Sequence, residues 1–280
     1  MKNYSFILPF LALLLVASPA VFAQQHMYHQ KYGSAKQQTL DLFLPKDPTK
    51  KTPVIIMLHG GAWTLGGNEY TDKHARDMCS RGFVVANVDY RYVNDSVHGD
   101  DLLDDINNAV QWVQDNAKKY GYNAKSFNLV GISAGAHLSL LYGYTANAKR
   151  EIKSITAMCA PSVFDEKTFL APLYKQGRIK ILEDLANAKY NPAPGADISA
   201  FKKVSPYFHI KNIPTQLIHG TSDELVDYHI SVKFNEKLKE MNVPANLILR
   251  PGKGHDVGMN SPDTEQANLE AIDIWIKKFD

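Results

Sequence analysis

The chain has 2 cysteines, Cys79 and Cys159, among 280 residues. So thin a supply excludes a disulfide-stapled scaffold, and no Cys/His finger spacing is present. The 10 histidines contain no H-E-x-x-H pair, so the sequence offers no recognisable metal motif. Charge of one sign is also missing. Against 31 Lys and Arg stand 29 Asp and Glu, leaving a formal net charge of +2 and no long basic stripe. Nucleic acid is therefore not an expected partner. Internal repeats and low-complexity tracts are absent. The apolar run at residues 5–18 is too short for a spanning helix, which wants about 20 residues, and Pro9 interrupts it.

That run reads instead as the core of a leader. Lys2 precedes it, and Val21 and Ala23 supply the small −3/−1 pair of a cleavage site. The expectation is a signal peptide over 1–23, cleavage near Ala23, a periplasmic or secreted protein without a stable membrane anchor, and one domain over 24–280. An exported protein could pair its cysteines. Cys79 falls on an expected helix and Cys159 at the end of an expected strand, so the plainer expectation is two buried thiols.

Beyond the leader, apolar β-rich runs alternate with helical patterns. "TLDLFLP" has the alternation of a strand, while "PVIIMLHG" and "GFVVANVDYR" read as buried strands. "EYTDKHARDMCSR" is helical between them. In "DDLLDDINNAVQWVQDNAKKYG" Leu102, Ile106, Ala109, Val110 and Val113 recur at three- and four-residue steps, and Gly121 stops the helix. Further on, "SFNLVGIS", "IKSITAMCAPS", "IPTQLIHG" and "VPANLILRPG" read as strands. Helices are expected in "AGAHLSLLYGYTA", with Ala134, Leu138, Leu141 and Tyr142 on one face, and in "HISVKFNEKLKEM" and "TEQANLEAIDIWIKKF". Such alternation predicts an α/β fold with a mostly parallel, doubly wound sheet. Residues 161–211 break the rhythm. They are rich in Pro, Gly and polar residues and too long for a plain connection. The expectation is a small polar and aromatic cap insertion with a short helix near 178–189.

The stretch "GISAGAH" places Ser133 between an expected strand and an expected helix. Gly131 and Gly135 fit where a sharp turn would make a β-carbon clash. This is the G-x-S-x-G pattern, which raises a serine hydroxyl above the end of a sheet. A hydroxyl is a poor nucleophile without a base and an acid group orienting that base. In this arrangement acid and base follow the serine in the order Asp or Glu, then His. Asp223 is the first carboxylate after the strand "PTQLIHG", and His255 is the histidine after "ANLILRPG". Glu224 and Asp256 compete for the acid role, although Asp256 is badly placed to reach the Nδ1 of its own neighbour. Donors for an oxyanion are expected from the backbone N–H of Ala134 and from "HGGAWTLGG", where Gly61 and Ala62 are first choice. In that loop Gly60 shapes the turn, His59 braces it and Trp63 walls the pocket. The loop lacks the Lys-Ser/Thr ending of a P-loop and does not match G-x-G-x-x-G.

Together "HGGAW", "GISAGAHLSLLY", "IHGTSDELV" and "GKGHDV" resemble an α/β-hydrolase of the carboxylesterase branch. That branch takes in hormone-sensitive-lipase-like, BD-FAE-like and kynurenine-formamidase-like enzymes. The likeness runs from about Tyr32 to the C-terminus and is loosest at 161–203. Ile132 and Ala136, which flank the core motif, favour the BD-FAE or formamidase side. The resemblance implies a nucleophile at Ser133, an acid at Asp223, a base at His255, an oxyanion loop at 59–63 and no cofactor. It also implies carboxylic esters as substrates, either small molecules or carbohydrate-linked, with acetyl or feruloyl groups of plant polysaccharide in view. Trp63 beside the oxyanion loop and the polar, aromatic cap lead us to expect short acyl groups. Two rivals stay open: an arylformamidase-like amidase or peptidase, and a non-catalytic binding module on the same fold. All three triad candidates are present, which argues against the binding module.

Overall fold

The computed structural model describes residues 25–122, 125–145 and 151–280, so the leader expected at 1–23 lies outside the described residues. Eight strands form one sheet: β1 (Gln25–Lys31), β2 (Thr39–Leu44), β3 (Val54–Leu58), β4 (Val84–Val88), β5 (Ser126–Ile132), β6 (Glu151–Met158), β7 (Thr215–Gly220) and β8 (Ala245–Arg250). Their order is β1-β2-β4-β3-β5-β6-β7-β8. β1 and β2 are antiparallel to their neighbours, and β4, β3, β5, β6, β7 and β8 run parallel.

Alternation along each strand divides the core in two. Val54, Ile56 and Leu58 of β3, with Val84, Ala86 and Val88 of β4, face one layer. Ile55, Met57 and Val85 face the other. Both faces are covered, so these strands are apolar apart from Asn87, which is buried and hydrogen-bonded to Thr71 and Asn68. Each fully buried Val, Leu or Ile contributes about 1.5–3 kcal/mol relative to exposure. The first layer holds α2 (Gly99–Tyr120), α3 (Ala134–Thr145) and α7 (His229–Glu240). The second holds α1 (Asp72–Ser80) and α8 (Pro262–Phe279).

The long helix α2 follows its apolar spacing closely, burying Leu102, Ile106, Ala109, Val110, Val113 and Ala117. Asp101 accepts the His98 N–H at 2.8 Å at its start. At its end Gly121 is left-handed at φ 81°, and its N–H closes on Ala117 O at 2.8 Å. In contrast, α3 departs from the expected one-sided pattern: every residue from Ala134 to Tyr144 is buried. Sheet lies on one side of it, and α2 and the cap lie on the other, so no face reaches water.

β1 is a strand that its sequence, QHMYHQK, does not announce. Its pairing with β2 creates it. On β2 the alternating polar residue Asp41 is buried, and its carboxylate accepts the His29 N–H at 2.6 Å.

The cap expected at 161–211 connects β6 to β7. It contains a π-helical turn (Glu166–Leu170), α4 (Ala171–Lys175), α5 (Lys180–Ala186) and α6 (Ser199–Lys203). Cys79 and Cys159 are both buried free thiols. Among the described residues no helix is long and apolar enough to cross a membrane. The strand order and flanking helices are those of the α/β-hydrolase fold.

Candidate active site

Ser133 sits between β5 and α3 with φ at 54°. A left-handed conformation costs a non-glycine residue about 1–2 kcal/mol. The turn is held by the Ser133 N–H donating to Met158 O at 2.7 Å and by the His137 N–H donating to Ser133 O at 3.0 Å. A β-carbon on Gly131 would lie 2.3 Å from Gly135 O, and one on Gly135 would lie 2.2 Å from Leu58 O. Only glycine at both positions lets α3 start this close to the sheet.

Asp223 follows β7 and His255 follows β8, which brings both to the end of the sheet where Ser133 stands. Ser133 Oγ lies 2.8 Å from His255 Nε2. His255 Nδ1 lies 2.8 Å from Asp223 Oδ2. Asp223 Oδ1 accepts the Leu225 and Val226 N–H groups at 2.9 and 3.0 Å. Burial opposes its charge, but hydrogen bonds from His219, His255 and the Val226 N–H outweigh burial, holding its carboxyl well below the usual carboxylate range. A charged Asp223 requires the proton on His255 Nδ1, which leaves Nε2 free to accept from the serine hydroxyl.

Of the two competing carboxylates, neither is hydrogen-bonded to the His255 imidazole. Asp256 accepts the Gly258 N–H at 3.0 Å, and Glu224 points into an exposed loop.

A further buried pair stands behind Asp223. His219 Nε2 is 2.9 Å from Val226 O and 3.1 Å from Asp223 Oδ2. A carbonyl only accepts, so Nε2 carries the proton, and His219 Nδ1 accepts from Ser231 Oγ at 2.7 Å. Neither residue is singled out by sequence reading. The available signal was a histidine at the last buried positions of a strand, four residues before the acid. Cys159 is the other unanticipated neighbour. Cys159, Asp223 and His255 offer ligand atoms within 4.8 Å of one another. Burial pushes the Cys159 thiol far up, and its proton points at His255 O at 3.0 Å, so it is a neutral thiol beside Asp223 and His255 rather than a thiolate ligand.

The loop at 59–63 faces Ser133. Gly60 packs against it: a β-carbon there would be 3.3 Å from Ser133 Cβ. Gly61 is left-handed at φ 125°, and its carbonyl accepts the Thr64 and Leu65 N–H groups at 3.0 Å each. Ala62 and Trp63 are also left-handed, at 48° and 60°, an uncommon run for residues with side chains. Ala62 and Ala134 line the same cavity as Ser133. Ala134 opens α3, so its N–H has no partner within the helix. His59 braces the loop. It is fully buried, stacks on Tyr90 at 4.3 Å, and its Nδ1–H donates to Gly60 O at 2.6 Å.

Trp63 walls the cavity and donates its Nε1–H to His137 Nδ1 at 3.2 Å. His137 Nε2–H in turn donates to Val204 O at 2.7 Å, so one imidazole ties loop, helix and cap together. Burial lowers the His137 pKa from 6.5 to about 4. The unfolded chain therefore binds a proton between those two pH values that the folded chain refuses. Stability should fall as pH drops through that window, by about 2–3 kcal/mol from this residue. Urea unfolding at pH 7.5 and 4.5 checks it. His137→Gln should reduce the loss on acidification by that amount, and an unchanged loss would show that His137 is not its source.

The cavity measures about 100 Å³. Its cap side is formed by Phe169, Leu173, Ile181 and Leu182. The expectation of a polar and aromatic cap is thus corrected on its inner side, where apolar residues of α4 and α5 turn toward the cavity. Arg178, between those two helices, is the cation in this lining.

Comparison with known proteins agrees with this architecture. The BD-FAE family matches residues 40–238, which includes Ser133 and Asp223 and stops before His255. The isoprenylcysteine alpha-carbonyl methylesterase ICME of Arabidopsis thaliana is 27% identical over 267 residues, covering 89% of this chain and 61% of that protein. Esterase LipC of Mycobacterium tuberculosis is 27% identical over 267 residues, covering 90% of this chain and 65% of that protein. The chain thus spans less than two thirds of the length of these relatives. A truncated carbohydrate esterase from gut microbiota has the same fold, with a TM-score of 0.73 at 18% identity, covering 90% of this chain and 96% of that one. With the match running from β2 through most of α7, the chain belongs to the BD-FAE family.

Proposed function

We propose that this protein is an exported serine carboxylesterase acting on short-chain carboxylic esters, with acetyl groups on polysaccharide as its natural class of substrate. The single observation that carries the reading is the unbroken chain from Ser133 Oγ through His255 to Asp223, with Ser133 and His255 lining an apolar cavity. In this reading Ser133 Oγ attacks the ester carbonyl carbon while His255 Nε2 takes its proton. Charge develops on the carbonyl oxygen, and the N–H groups of Ala62, Gly61 and Ala134 stabilise it. His255 then returns the proton to the departing alcohol. Water repeats the sequence on the acyl-enzyme, releasing the acid and restoring Ser133. Asp223 holds the imidazole in the required tautomer and stabilises its positive charge. The proton moves between Ser133, His255, the departing alcohol and the attacking water, while Asp223 stays ionised. Export rests on the leader at 1–23, and N-terminal sequencing of the processed chain should begin at Gln24.

The cavity of about 100 Å³ is small beside the roughly 300–1,000 Å³ of sites for drug-sized ligands. A methylene gains about 0.8 kcal/mol only where a groove receives it. Efficiency should therefore fall beyond about four acyl carbons. Measurement of kcat/KM across nitrophenyl acetate, butyrate, octanoate and palmitate tests this, with a formanilide as the amide control. Trp63→Ala should relax the chain-length limit and lower kcat, because it also strips His137 Nδ1 of its donor. A wild-type preference for octanoate or palmitate would sink the short-acyl reading, and a preference for the formanilide would sink the ester reading.

A further inference from the structure

The esterase chemistry leaves one feature of the pocket unused. Arg178 lines a cavity whose other cap-side groups are the hydrocarbon side chains of Phe169, Leu173, Ile181 and Leu182. The cap supplies it with no counter-ion. All five carboxylates of residues 161–211 are engaged elsewhere. Asp165 is bonded to Lys233, Glu166 to the Tyr190 hydroxyl and Glu183 to Lys189. Asp184 is bonded to Lys180, and Asp197 to Ser199. Among the described residues no ion pair involves Arg178, whereas its near neighbour Lys180 holds both Asp184 and Asp95. A guanidinium is always charged and presents a planar fork of donors that fits a carboxylate with two parallel hydrogen bonds. Arg178 is itself exposed, so such a contact forms within reach of solvent and is weakened by salt.

We propose that Arg178 is a specificity residue that binds a carboxylate carried by the substrate, so the preferred substrates are anionic esters. The inference rests on the esterase reading above and adds the class of ester. The carboxylate can belong to the acyl group, as in a dicarboxylic acid half-ester, or to the alcohol, as in an acetylated hydroxy acid or uronate. Binding requires no new covalent step. The carboxylate anchors one end of the molecule while Ser133 attacks the ester carbonyl.

Two matched pairs of substrates separate the sources. Monomethyl glutarate and its primary amide place the charge on the acyl side. The pair 4-acetoxybenzoate and 4-acetoxybenzamide places it on the leaving side. The quantity read is the ratio of kcat/KM for the acid to kcat/KM for the amide. In the wild type this ratio should favour the acid by about two- to fivefold in at least one pair, the scale of a solvent-screened ion pair. Arg178→Gln should bring the ratio near one, Arg178→Glu should invert it, and Arg178→Lys should retain part of it. Added salt should shrink the wild-type ratio and leave that of Arg178→Gln unaffected. Equal ratios in wild type and Arg178→Gln for both pairs would overturn the proposal while neutral-ester turnover keeps the esterase reading intact. Failure of the wild type to cleave any of the four esters, with no labelling by a fluorophosphonate, would overturn both.

Discussion

Ser133→Ala should abolish turnover and fluorophosphonate labelling while leaving the fold in place. The hydroxyl is the group aligned on His255 Nε2, at 2.8 Å. Removing the nucleophile of a comparable triad costs about 10⁶-fold in kcat. The side chain lost is one oxygen. The strain at φ 54° remains, because alanine also carries a β-carbon, and the two hydrogen bonds that hold the turn are made by backbone atoms. Thermal unfolding should therefore move little. Retention of more than a few per cent of activity by the variant would show that another residue attacks the ester.

The second large effect is expected at Asp223→Asn. An amide at this position presents an N–H where His255 Nδ1–H and His219 Nε2–H now find an acceptor. If the amide nitrogen turns toward His255, the imidazole takes the tautomer with its proton on Nε2 and can no longer accept from Ser133. The analogous change in a serine protease costs about 10⁴-fold in kcat, and a loss on that scale is expected here. Glu224→Gln is the control. Its side chain is exposed and touches neither histidine, so the change should alter kcat/KM by less than about twofold. Steady-state kinetics on nitrophenyl acetate rank the two. A larger loss at Glu224 than at Asp223 would reassign the acid.

Much of the fold was legible because its elements announce themselves locally. The runs around Val54–Leu58 and Val84–Val88 are apolar for longer than a turn tolerates, and α2 repeats its apolar residues at helical steps until Gly121. The elbow was legible for a related reason: glycine on both sides of Ser133 leaves few backbones that need such spacing. Elsewhere the local signal was weak or misleading. Polar QHMYHQK becomes β1 through its partner strand, and α3 is buried on every side although one face alone looked apolar. The cap was read by its composition, which reports its outer surface, while Leu173, Ile181 and Leu182 turn inward to the cavity.

The sequence by itself determined the α/β alternation, the strand-end placement of Ser133, Asp223 and His255, and their order along the chain. Those properties depend on periodicity and on which residue types can occupy a tight turn, both readable over a few neighbours. Tertiary structure alone decided that Asp223, rather than Glu224 or Asp256, meets His255. It also placed Ser231 and His219 behind that carboxylate and left Arg178, among the described residues, without a counter-ion beside the cavity. The reason is distance along the chain. Ser133 and His255 are 122 residues apart, and a hydrogen bond between them is set by how the parallel strands stack, to within a fraction of an ångström, not by anything either residue's neighbours encode.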